Sequence, residues 1–256
     1  MPISGNRIIR KAAAGLRGRR AAVAGALLLL AVVGPGAAGK EHVRYDFNRM
    51  TELEKNWGFR GGCFGVPKTK IFIAPAEDTA DGTALVLESP RGSGVFMTRL
   101  PKEIWKKYPV MRWRWRVIKP VVVKPGAPEP DDQAVVVYFG DGTLLRQRCV
   151  GYRWEVLAPV GAEKILKYGA GTMTVKRICV RNNSTPPGKW VVEERDVAAD
   201  YRRAFGVDPK SYCILSIGAN SQYSQSSTRV EIDYIEFLPG RCDMAKKQTL
   251  AERKQL

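Results

Sequence analysis

Apolar and polar residues alternate with a period of two along much of this chain. In 110–118, VMRWRWRVI, Met111, Trp113, Trp115 and Val117 share one side, and Arg112, Arg114 and Arg116 share the other. Successive side chains of an extended strand point to opposite faces, so this stretch predicts a strand with an aromatic inner face and a cationic outer face. Further strands are predicted over 43–48, 70–75, 83–89, 93–99, 133–139, 151–157, 173–181, 190–196, 211–218 and 228–237, with Gly, Pro, Asn and Asp in the gaps. One helix is expected over 197–206, with Gly206 as its stop, and a helical turn over 101–108. Gly140-Asp141-Gly142 reads as a hairpin turn between strands. Together these predict an all-β protein: an antiparallel β-sandwich of jelly-roll type with one or two short helices.

The same parity groups the charged residues. In 151–157, Tyr152, Trp154 and Val156 oppose Arg153 and Glu155, and in 190–196 Glu193 and Arg195 go together. With the apolar sides inward, one sheet is expected to carry Arg112, Arg114, Arg116, Arg153, Glu155, Glu193 and Arg195 outward. Three arginines in a row repel one another unless anions answer them, from neighbouring strands (Glu155 or Glu193) or from a bound ligand. These seven are the candidate ligand-binding residues. The alternative is a solvated ladder of ion pairs, each stabilising by less than about 1 kcal/mol.

The last strand, VEIDYIEF (230–237), has three carboxylates. Glu231, Asp233 and Glu236 are candidate catalytic residues, since a retaining glycosidase needs two carboxyl groups about 5–5.5 Å apart. Glu231 and Asp233 share a face, about 6.6 Å apart along the strand. Glu236 points the other way unless a β-bulge intervenes near Tyr234. In the structural alternative, Val230, Ile232, Tyr234 and Phe237 supply core and the acids pair with Lys or Arg.

Composition narrows the setting. Six basic residues and no acid lie in 1–20, followed by the 13-residue apolar run 21–33 and small residues to Gly39. This is the pattern of a secretory signal over 1–39, too short for a span of about 20 residues. It leaves one domain over 40–240, a polar tail over 241–256 and no stable transmembrane segment after cleavage. A periplasmic or secreted protein follows. Its charge falls from +17 to +11 when the signal's six basic residues are removed. The expected partner is a glycan or other anionic envelope polymer, and no nucleic acid. Five cysteines suit an oxidising compartment, with Cys149–Cys179 and Cys63–Cys242 as possible disulfides and Cys213 as a buried free thiol. There is no CxxC pair and a single histidine, so no metal is expected and no cofactor is implied.

An ordered set of landmarks resembles a family of exported bacterial proteins, the domain of unknown function 3047 family. They are Trp113-Arg114-Trp115-Arg116-Val117, Asp131-Asp132, Tyr138-Phe139, Tyr152-x-Trp154, Trp190, Glu194-Arg195-Asp196-Val197, Asp200-Tyr201, Phe205-Gly206, and Asp233-Tyr234-Ile235 with Phe237. The resemblance implies an exported single-domain β-sandwich and no particular activity. One departure is 216–221, SIGANS, where an Asp-rich stretch is expected. The reading that results is a glycan-binding envelope protein. A glycoside hydrolase or polysaccharide lyase on the same scaffold, and a structural subunit of an envelope complex, are the alternatives.

Overall fold

The computed structural model describes residues 42–61, 65–126, 130–143 and 146–240. The signal at 1–39, the tail at 241–256 and the Cys63–Cys242 pair lie outside the described residues. In chain order the elements begin with β1 (Val43–Asp46), α1 (Met50–Asn56), β2 (Trp57–Gly61), β3 (Lys70–Pro75), β4 (Thr83–Pro90) and β5 (Ser93–Arg99). Then come α2 (Ile104–Lys107), β6 (Val110–Lys119), β7 (Gln133–Thr143), β8 (Arg146–Glu155) and β9 (Glu163–Tyr168). The chain closes with β10 (Met173–Asn182), β11 (Val191–Asp196), α3 (Val197–Phe205), β12 (Cys213–Asn220) and β13 (Ser227–Leu238).

Among the described residues these strands form two sheets. Sheet 1 runs β11-β6-β13-β4-β3, with β1 also on β13; sheet 2 runs β2-β5-β12-β7-β8-β10-β9. All pairings are antiparallel except β8 with β10. There β9 intervenes in sequence, hairpins onto β10 and brings it back parallel to β8.

The predicted inner faces meet as the core. Met111, Trp113 and Trp115 from sheet 1 and Tyr152 and Trp154 from sheet 2 are at most 1% exposed. Trp113 lies 5.2 Å from Tyr152 and Trp115 lies 5.9 Å from Trp154, so aromatic pairs bridge the two layers. Each ring contributes a large apolar area and a geometry-dependent contact of about 0.5–1.5 kcal/mol beyond it. The helix α3 is capped by Asp196, which accepts from the Ala199 amide at 2.8 Å. It stops at Gly206, whose φ of 70° is the left-handed region that glycine tolerates.

The expected turn at Gly140-Asp141-Gly142 is corrected: all three lie inside β7. A Cβ on Gly140 would meet Arg148 O at 2.3 Å, and one on Gly142 would meet Arg146 O at 2.1 Å. The glycines permit close passage of β8 rather than a reversal.

Candidate functional site

The outer face of sheet 1 carries Arg112, Arg114 and Arg116, and the anions that answer them come from β13 and β11. Arg116 reaches Glu231 at 2.7 Å and Arg114 reaches Asp233 at 2.7 Å. Arg112 holds Glu194 at 2.7 Å and Glu236 at 3.4 Å. This convergence needs an irregularity: β13 shifts register against β6 between Ile232 and Tyr234, leaving Asp233 as an extra residue. The bulge puts Asp233 and Tyr234 outward together and returns Glu236 to the same face. Tyr234, expected in the core, instead lies under Arg44, whose guanidinium is 3.9 Å from the ring centroid. Ile235 takes the core position.

The trio therefore shares one face, but not as free carboxylates. Glu231, Asp233 and Glu236 are 5%, 7% and 7% exposed, and each is bound to an arginine. Trp190 lies over Arg114 at 4.7 Å and Arg116 at 4.4 Å, and its indole donates to Glu77 O. This face holds its own counter-ions and its own aromatic cover.

The expectation that one sheet carries all seven charged candidates is corrected. Arg153 and Glu155 belong to sheet 2. Glu193 and Arg195 pair with Trp113 and Met111 across β11 and β6, so they point to the inner side, and Glu194 takes the outer one. An edge strand tolerates this because its inner side opens onto the seam between the sheets. There Glu193 accepts from Arg181, and Arg195 donates to Asp200 at 2.8 and 2.9 Å. Asp200 also accepts from the buried Tyr152 hydroxyl at 2.9 Å. Burial pushes the Glu193 carboxyl above its usual pKa, against the pull of Arg181. A cavity of about 300 Å³ lies at this seam, lined by Glu163, Arg181, Glu193 and Arg195 among others.

The outer face of sheet 2 is different. Arg153 and Glu155, at 2% and 0% exposed, lie 3.1 Å apart. Arg153 also meets Asp131 at 2.8 Å and donates to Gln133. Arg177 on β10 approaches the same Glu155 at 3.3 Å, and Tyr168 on β9 donates to Asp131 at 2.7 Å. Burial works against the Arg153 charge, but Glu155 and Asp131 outweigh it and hold its pKa above the usual value. Burial also raises the Tyr138 phenol, and burial with the Asp131 bond raises Tyr168, so both are neutral donors at ordinary pH.

Half-buried Tyr138 lies against Gly151, where an added Cβ would sit 2.6 Å from the ring. On the other side Tyr138 pairs with Ser216, and Gly218 pairs with Val136. The missing side chain of Gly151 seats the Tyr138 ring beside a charged, hydrogen-bonding cluster.

Sequence parity found Arg153 and Glu155 but missed Asp131, Gln133, Tyr138, Tyr168 and Arg177 as their partners. Tyr138 was hidden because β7 shifts register against β8 between Gln133 and Val135, which breaks the alternation of QAVVVYF.

Residues 75–236 match the family described as protein of unknown function, DUF3047. The chain belongs to the DUF3047 family. The matched span contains the outer face of β6 and both arginines of the sheet 2 cluster, Arg153 and Arg177. No curated protein matches this DUF3047 chain. Among solved structures it is similar to a family 11 carbohydrate-binding module from Clostridium thermocellum, solved with a β-1,3-1,4-mixed-linked tetrasaccharide. That likeness has 13% identity, covers 72% of this chain and 89% of the other, and has a TM-score of 0.39. A carbohydrate esterase of the Shiga toxin-encoding bacteriophage phi24B shares 11% identity over 77% and 98% of the two chains, at a TM-score of 0.41. Trichoderma harzianum endoglucanase 3 shares 10% over 80% and 100%, at 0.37.

The proposed Cys149–Cys179 disulfide of the DUF3047 chain is corrected: the two cysteines are not bonded to each other. The strands are neighbours, but Cys149 pairs with Val175 and Cys179 with Arg153. A stagger of four residues is about 13 Å along a parallel ladder, beyond the reach of a disulfide. Cys213 is free and buried, as expected. Among the described residues no group of three His, Cys, Asp or Glu side chains is placed to hold a metal ion. None of their helices is long and apolar enough to cross a membrane.

Proposed function

We propose that this DUF3047 protein is an exported glycan-binding protein that holds an acidic envelope polysaccharide on the outer face of sheet 2. One observation carries the reading: Tyr138 lies on Gly151 beside the Arg153–Glu155–Arg177–Asp131 cluster. A sugar ring presents an apolar face and a rim of hydroxyls. It needs an aromatic surface for the first and fixed polar groups for the second. Tyr138 supplies the first, and Asp131 and Arg177, on the exposed side of the cluster, supply the second, held in place by the buried Arg153 and Glu155. On the Arg112–Arg114–Arg116 face the ring of Trp190 is stacked on Arg114 and Arg116, and no aromatic residue is among the described lining of the seam cavity. The charge of +11 on residues 40–256 draws a polyanion toward the protein. Residues 1–39 carry the export pattern that would place the protein with such a polymer.

Affinity electrophoresis tests this. The protein is run through gels containing galacturonan, alginate, xylan, mannan or mixed-linkage glucan. Retardation in at least one acidic gel is expected, reduced by Tyr138→Ala and by Arg177→Gln. Unchanged mobility in every gel would overturn the proposal.

A further inference from the structure

A second candidate binding site lies in the loops at one end of the sandwich. Three segments meet there: 65–69, the β4–β5 turn at 91–92, and the β12–β13 loop at 221–226. They enclose a cavity of about 390 Å³ lined by Gly65, Val66, Pro67, Arg91, Gln222, Tyr223 and Gln225. Among the described residues of the lining, Arg91 is the one that is charged, and none is a carboxylate. This contrasts with the outer faces of both sheets, where the named arginines lie against acids.

The loop is built to hold its shape. Asp132, at 0% exposed, accepts from the Tyr223 amide at 3.1 Å, the Ser224 amide at 2.7 Å and the Ser224 hydroxyl at 2.6 Å. Ser221 donates its amide to Gly92 O at 2.9 Å and its hydroxyl to Ser89 O at 2.6 Å. The Arg91 amide donates to Ser226 O at 2.8 Å, and Ser93 donates to Pro67 O at 3.0 Å. Gly92 admits no side chain, since a Cβ there would stand 2.4 Å from Pro67 O. A buried carboxylate and a cross-braced turn are devoted to a loop whose outermost residue, Tyr223, is 61% exposed. Arg91 and Gln225 both have left-handed backbones, with φ of 53° and 54°. Such strain persists only where the surroundings enforce it, and it clusters at ligand sites.

We infer that this pocket binds one acidic sugar unit, with its carboxylate on Arg91, its ring against Tyr223 and its hydroxyls on Gln222 and Gln225. A guanidinium takes a planar carboxylate through paired donors, and amides serve hydroxyls as donor and acceptor alike. Pre-ordering of the loop lowers the cost of binding. The inference rests on the glycan-binding reading but uses none of the sheet 2 residues. The two sites are also joined in the fold, because Asn220 donates to Asp131 O at 3.0 Å and Arg153 donates to Asp132 O at 3.3 Å.

Isothermal titration of the full chain with hexagalacturonate, and separately with cellohexaose, tests the inference. The variants are Tyr223→Ala, Arg91→Asn and, on sheet 2, Tyr138→Ala. Asn tolerates the left-handed backbone at position 91. Tyr223→Ala and Arg91→Asn are each expected to weaken hexagalacturonate binding by about tenfold, with the melting temperature unchanged. Arg91→Asn should leave any cellohexaose binding as it was. If wild type binds hexagalacturonate and only Tyr138→Ala weakens it, the pocket inference is overturned and the sheet 2 site stands. If only the loop variants weaken it, the pocket stands and the sheet 2 site falls. No binding of hexagalacturonate by wild type overturns the pocket inference outright.

Discussion

Arg114 meets Asp233 at 2.7 Å because β13 carries one residue more than β6 between Ile232 and Tyr234. That extra residue decides the character of the closing strand. A regular strand would send Glu236 into the core or force the strand out of register. With the bulge, three carboxylates of β13 answer three arginines of β6, and the strand that spells a glycosidase motif becomes one half of an ion-pair ladder.

Asp233→Ala should therefore destabilise the fold. Removing one partner of a mostly buried pair leaves the other charge uncompensated, which costs about 3–5 kcal/mol when burial is complete. Arg114 has a side chain 22% exposed, so about 2–3 kcal/mol is expected. The double variant Arg114→Leu/Asp233→Leu should lose less than Asp233→Ala. Urea unfolding measures both, and equal losses would show that the pair itself is unimportant.

Gly151→Ala tests the seat of Tyr138. The new Cβ would stand 2.6 Å from the ring and must push it outward. We expect loss of polysaccharide retardation with far-ultraviolet circular dichroism unchanged. Retained binding would mean that the position of Tyr138 does not matter.

Alkaline pH should weaken the fold in a definite window. Burial raises the Cys149 and Cys213 thiols from 9.0 to about 12, and the Tyr45 phenol from 10.0 to about 12. These groups hold protons in the folded state that the unfolded chain releases. Their contribution is whole below about pH 9 and is lost as pH rises towards 12. Melting temperatures taken from pH 7 to 12 should be flat at first and then fall; a flat profile throughout would contradict the burial of all three.

The same burial predicts thiol reactivity. In the native protein at pH 8, Cys149 and Cys213 should resist iodoacetamide, because the thiolate is the nucleophile and little of it forms. In guanidinium chloride both should alkylate. Mass spectrometry of the peptides distinguishes these outcomes from rapid native labelling.

All eleven predicted strands are present, and so are the helix before Gly206 and the turn of helix after Pro101. The strands were legible either from an alternating apolar face, as in β5 and β6, or from a short apolar run bounded by turn residues, as in β4 and β12. The elements that escaped lack that signal. In α1 only Leu53 is buried, β2 contains two glycines in five residues, and β9 is an edge strand of mostly exposed charged side chains. The inner face of β6 was readable to the residue, and so were Arg153 and Glu155 as an outward pair. What could not be read was whatever breaks the period of two: the bulge at Asp233, the register shift after Gln133, and the reversed parity of β11. Strand partners are equally silent in sequence, which is why the seven charged candidates were assigned to one sheet and Cys179 was placed opposite Cys149.

β13 is the last strand of the described chain, yet it lies inside sheet 1, between β6 on one edge and β4 and β1 on the other. A ribosome-bound chain that has not yet emerged past residue 227 thus has β6 and β4 with no strand between them, and no partner for β1. The β3–β4 and β6–β11 pairs can form earlier, but they join into one sheet only through β13, and long-range pairings of this kind close slowly. The order in which the two layers close is therefore written into the topology: every strand of sheet 2 precedes β13, and sheet 1 is completed last.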